Sequence, residues 1–115
     1  MTALQELLEK VEAGKWDTKL ALKALPESHV SDAHEWVDPI GWASRAFHNG
    51  SLDAAKALHE AVLTGFRFVI TVNGASLYDH AKDKTKGYLI EGISDASPAR
   101  AWLIAIIKAL IAQEQ

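Results

Sequence analysis

Apolar positions near the amino terminus recur with helical spacing. Leu4, Leu7, Leu8 and Val11 fall at i, i+3, i+4 and i+7, Thr2 stands where an N-cap belongs, and Gly14 offers a stop. The pattern predicts a first helix there. A shorter second helix, with a less regular apolar spacing, follows from Asp17 as cap, carrying Leu20, Leu22 and Leu25 before Pro26 ends it. From Glu27 to Asp38 the periodicity fails. Asp38-Pro39 then supplies a cap and a first-turn proline for a short helix with Ile40, Ala43 and Phe47 inward, ending near Asn49-Gly50. Ser51 caps a further helix, in which Leu52, Ala55, Leu58 and Val62 share one face and Gly65 is the exit.

The pattern changes period after Gly65. Phe66 to Val72 is rich in aromatic and β-branched residues, with Phe66, Phe68, Ile70 and Val72 on one side, as a half-buried strand requires. Asn73-Gly74 is the dipeptide of a type I′ turn, which predicts a hairpin into Ala75 to His80. A polar loop, Lys82 to Gly87, leads to a third strand over Tyr88 to Ile93. Ser97-Pro98 then opens a long helix whose apolar face spans Ala99, Trp102, Leu103, Ile106, Ile107, Leu110 and Ile111.

The expected fold is therefore α+β. N-terminal helices precede a three-stranded antiparallel meander at about 66–93, a helix at about 98–113 closes the chain, and helices pack on the sheet in an α-β-α sandwich-like arrangement. So broad an apolar face on the last helix means that it packs centrally or forms a homodimer contact. Central packing is the simpler reading.

Composition narrows the function classes. A chain of 115 residues, 49% hydrophobic and 23% charged, has the size and balance of one globular domain spanning 1–115. A net charge of −3 lacks the surplus of Lys and Arg that phosphate neutralisation needs, so nucleic acid is a disfavoured partner. The absence of cysteine excludes a disulfide framework, a thiol nucleophile and Cys-based metal sites, and fits a reducing cytoplasm. The amino terminus has no basic start and apolar run of the kind a signal peptide carries, and the most apolar stretch, Ala99 to Ala112, is shorter than a membrane span and holds Arg100 and Lys108. No membrane association is expected.

Two stretches, Ser51-Leu52-Asp53-Ala54-Ala55-Lys56-Ala57-Leu58 and Asp95-Ala96-Ser97-Pro98-Ala99-Arg100-Ala101-Trp102-Leu103, resemble the phage ABA sandwich domain family. In that family an SLDAA helix precedes short strands and a TPALAL-like capped helix closes the domain. Leu7 to Ala13 is similar to its LLEKVEA-like first helix. Ser97 stands where threonine is usual, and the segment from Ser28 to Asn49 departs from the pattern. The resemblance implies a small bacteriophage or prophage protein with helices flanking a sheet, and carries no catalytic residues.

Candidate chemistry is thin. Histidines 29, 34, 48, 59 and 80 show no metal-binding register, and the densest group, Asp32, His34, Glu35 and Asp38, reads most simply as a solvated turn. His59 falls at the edge of a buried helix face, where a packing or surface role is the default. No serine lies in a nucleophile motif, and the glycines are dispersed as turns and caps. No catalytic residue, cofactor or metal ligand is assigned, and the chain reads as non-enzymatic.

Trp36 and Trp42, with Phe47, lie in the poorly patterned middle segment. Large aromatics in such a segment act as lids over the core, the simpler reading, or as anchors for a partner. These three are the candidate partner-binding residues. The α-β-β-β-α order also resembles the double-stranded RNA-binding fold, and that alternative would rest on Lys82, Lys84, Lys86 and Arg100. The leading expectation is an accessory protein that binds a macromolecule, most simply a host or phage protein, with inhibition of a host defence system as one form.

Overall fold

The computed structural model describes residues 2–63, 65–72, 74–79, 88–94 and 96–114. Helix α1 (Ala3–Glu12) begins in a reciprocal capping box. The Gln5 N–H donates to the Thr2 hydroxyl at 3.2 Å, and the Thr2 N–H donates to the Gln5 side-chain oxygen at 2.9 Å. Gly14 ends it at φ +78°, with its own N–H on the Val11 carbonyl and the Lys15 N–H on that of Lys10, the paired bonds of a Schellman motif.

Asp17 caps α2 (Thr18–Ala24) by accepting the Leu20 N–H. The inward residues here are Ala21 and Leu25, one turn apart, while Leu22 is exposed, in keeping with the irregular apolar spacing. The segment after Pro26 also departs from expectation: His29–Val30 (β1) and Trp36–Val37 (β2) form a small antiparallel hairpin. Two-residue strands are too short to carry a period-two pattern. Helix α3 (Pro39–Asn49) starts at the expected Asp38 cap and proline, and α4 (Leu52–Val62) at Ser51, whose hydroxyl accepts the Ala54 N–H. Leu52, in the first turn of α4, is exposed rather than inward.

Strands β3 (Phe66–Ile70), β4 (Gly74–Asp79) and β5 (Tyr88–Ile93) form the expected meander in the order β3-β4-β5. The register aligns Phe68 with Leu77 and Leu77 with Ile90, and likewise Ile70, Ala75 and Gly92. The first hairpin is closed by the Thr71 N–H on the Gly74 carbonyl at 2.9 Å, so Gly74 belongs to β4 rather than to the centre of the turn, and Val72 is exposed at the tip. The turn thus sits one residue earlier than the Asn-Gly signal places it.

Helix α5 (Pro98–Glu114) begins with the Ser97 hydroxyl accepting the Arg100 N–H at 3.0 Å. Every residue from Ala101 to Ile107 is buried, as expected of a helix apolar on all sides, because α5 packs against α1, α3, α4, β4 and β5 at once. Central packing therefore accounts for its broad apolar surface. The layers run from sheet to α5 to the remaining helices. On the far face of the sheet Arg67, Val69, Glu91 and Ile93 are exposed. Among the described residues no helix is long and apolar enough to cross a membrane.

The sheet meets α5 through small residues. A Cβ at Gly92 would collide with the Ala101 carbonyl and lie 2.6 Å from the Ala105 nitrogen, so glycine lets β5 rest directly on the helix backbone.

Candidate functional site

The β1–β2 hairpin presents Trp36. Its loop is closed by the Ser31 N–H on the Glu35 carbonyl at 2.8 Å and the His34 N–H on the Ser31 carbonyl at 2.9 Å, with His34 at φ 60°. That left-handed residue after a tight turn is the geometry of a three-residue hairpin loop. His34 therefore has a turn-forming role.

Asp38 ties the base of this hairpin to α3. One carboxylate oxygen accepts the Ser28 hydroxyl at 2.8 Å and the Gly41 N–H at 3.1 Å, and the other lies 3.6 Å from the Arg45 guanidinium. Strand β2 thus enters α3 directly, and Trp36 and Trp42 come to line one groove with Glu35, Val37, Ala57, Glu60 and Ala61, a space of about 450 Å³. Trp36 is 60% exposed, too open for a lid, while Trp42 is partly buried against the core. Among the described residues, the ionisable ones lining the groove are Glu35 and Glu60, both acidic. Exposed Lys56 reaches Glu60 at 3.7 Å from the same helix.

Phe47, grouped with these tryptophans by sequence position, does not join them. Five residues along a helix turn a side chain by roughly 140°, which takes Phe47 away from the Trp42 side and into the core, where it is 5% exposed. Its ring packs on Trp16 at 5.7 Å and on His48 at 5.0 Å. Arg100 closes the stack, its guanidinium 3.9 Å above the Phe47 ring and donating to the Phe47 carbonyl at 3.0 Å. It satisfies a carbonyl at the end of α3 and is not directed at an external phosphate. Lys82, Lys84 and Lys86 lie outside the described residues.

His59 has a structural role that periodicity only hints at. It is 2% exposed, stacks edge-on to Phe68 at 5.0 Å, and bonds to Phe66 and Trp102. Burial pushes its pKa below the ordinary 6.5, partly offset by the Phe66 carbonyl and by Glu60. Among the described residues, no group of three or more His, Asp and Glu side chains is arranged to hold a metal ion. Glu60, Ala57 and Ala61 are groove residues that the sequence reading does not single out. Their i, i+3, i+4 spacing beside the buried face of α4 is the signal they leave.

No protein-family model, curated protein or solved structure matches the chain.

Proposed function

We propose that the protein is a non-enzymatic binding module that engages a partner protein through the Trp36–Trp42 groove. The observation that carries this reading is Trp36 itself, an indole 60% exposed on a short hairpin beside a second tryptophan. Large aromatic side chains exposed next to a concavity are the residue type that supplies most binding energy at protein interfaces. The resemblance of Ser51 to Leu58 and Asp95 to Leu103 to phage ABA sandwich domains supports a bacteriophage or prophage accessory protein acting in the bacterial cytoplasm. Its partner would then be a host or phage protein, and inhibition of a host defence system is one form the activity takes. The RNA-binding alternative is weakened by Arg100, whose guanidinium is engaged by Phe47.

The test is capture from a bacterial lysate by the immobilised chain, its Trp36→Ala variant and a Leu22→Ala variant that alters an exposed apolar residue elsewhere. A protein retained by the wild type and by Leu22→Ala but lost with Trp36→Ala is the expected result. Equal capture by all three would overturn the groove as the binding surface, provided circular dichroism shows the variants folded.

A further inference from the structure

Among the surface features, the Trp36–Trp42 groove is chemically the most specific. Among the described residues it is lined by two tryptophans, by Val37, Ala57 and Ala61, and by the acidic residues Glu35 and Glu60, with no lysine or arginine. An acidic guest would meet like charges at both carboxylates. A purely apolar guest would cover the indoles but take the carboxylates out of water without a partner.

A cation with an apolar stem satisfies every wall. The face of an indole attracts a cation through its quadrupole, and carboxylates at the edge complete the neutralisation. Arginine fits better than lysine: its planar, weakly hydrated guanidinium can stack on an indole while its N–H groups reach a carboxylate in the plane. The chain already uses this chemistry internally, with Arg100 stacked on Phe47.

We infer that the Trp36–Trp42 groove receives an arginine side chain of the partner protein, stacked against the indoles and paired with Glu35 and Glu60. This rests on the reading that a protein docks in the groove, and names what that protein presents. Lys56 is then a competitor. Its contact with Glu60 joins two exposed side chains, 57% and 62% accessible, so an incoming guanidinium can replace it. Binding should weaken as ionic strength rises, because the pairing is at the surface.

The experiment titrates the isotope-labelled full chain with the acetylated, amidated peptide Leu-Arg-Leu and with its citrulline counterpart, which keeps the shape and loses the charge. The indole N–H resonances are followed by NMR and assigned with Trp→Phe variants. The arginine peptide should shift the Trp36 and Trp42 signals saturably and leave Trp102 unmoved, with the citrulline peptide about tenfold weaker. The Glu35→Gln/Glu60→Gln pair should lose about as much. Lys56→Ala should bind about two- to threefold more tightly, since it removes the competing cation.

Equal binding of the two peptides, no response to either, or weaker binding by Lys56→Ala overturns the inference. So does choline binding in the groove where the arginine peptide does not, which would mark a slot for a small quaternary ammonium. Lysate capture separates this inference from the reading beneath it. A partner lost with Trp36→Ala but kept by the Glu35→Gln/Glu60→Gln pair leaves a docking groove without an arginine guest, whereas a partner kept by Trp36→Ala removes the docking reading itself.

Discussion

The indole N–H of Trp102 donates a 3.2 Å hydrogen bond to Nδ1 of His59, joining α5 to α4 at a buried point. An indole nitrogen can only donate, so Nδ1 must be the acceptor and the proton of the neutral ring sits on Nε2. Nε2 accordingly donates to the Phe66 carbonyl at 3.1 Å, at the start of β3. One side chain thus links two helices and the edge strand, and Phe68 closes over it with its ring centroid 4.5 Å from that of Trp102.

Protonation of His59 at Nδ1 would remove the acceptor that Trp102 requires. Burial holds the folded-state pKa below 6.5, the ordinary value the unfolded chain takes, so the unfolded state binds the proton more readily. The contribution of His59 is fully present above pH 6.5 and is lost as the pH falls from there through the lowered folded value. Urea midpoints measured from pH 8 to pH 5 should therefore fall more steeply for the wild type than for His59→Gln. Parallel slopes would show that His59 does not carry the effect.

His59→Phe keeps an aromatic ring but leaves the Trp102 N–H and the Phe66 carbonyl without their partner. Each orphaned buried group costs roughly 1–3 kcal/mol, so a loss of about 2–6 kcal/mol is expected in urea unfolding. A loss below about 1 kcal/mol would mean that water or a neighbouring group takes over both bonds.

The elements that are legible in the sequence are those whose ends carry side-chain chemistry. Thr2, Asp17, Asp38, Ser51 and Ser97 each accept the backbone N–H three residues on, and each marks a helix start that the sequence predicts. Features set by tertiary context are not legible. His34 adopts a left-handed conformation that glycine would normally signal, so the hairpin carrying Trp36 has no turn motif. Trp36 and Trp42 stand out in sequence because no pattern absorbs them, but Glu60 joins them only because α4 packs beside α3. Phe47 carries two opposed signals: its neighbours in sequence suggest a shared surface, whereas the helical spacing that sets it inward with Ile40 and Ala43 is the one the fold follows.

Gly92→Ala tests the contact between sheet and α5. Its Cβ would be driven into the backbone at Ala101 and Ala105, and a helix backbone buried on all sides cannot yield as a side-chain tip would. Overpacking of this kind costs about 1–3 kcal/mol or more, read as a lower urea midpoint. A Gly14→Ala variant is a useful contrast, since nothing lies within 4 Å of a Cβ there and only the left-handed φ of +78° opposes it, at about 1 kcal/mol.

Asp38 is where stability and the groove meet. Asp38→Ala removes the cap of α3, a loss of about 1–2 kcal/mol, and with it the Ser28 hydroxyl bond that fastens the hairpin base. Asp38→Asn keeps an acceptor for both donors and gives up only the 3.6 Å contact with Arg45, whose side chain is 54% exposed, so its stability should stay within about 0.5 kcal/mol of the wild type. Partner capture should follow the same order, because the two-residue strands of the hairpin have little else to hold Trp36 beside Trp42. An Asp38→Ala variant that stays folded yet captures the partner as well as the wild type would show that binding does not need Trp36 held against Trp42. Loss of capture by Asp38→Ala with retention by Asp38→Asn would identify the hairpin anchor, rather than the negative charge, as what keeps the groove assembled.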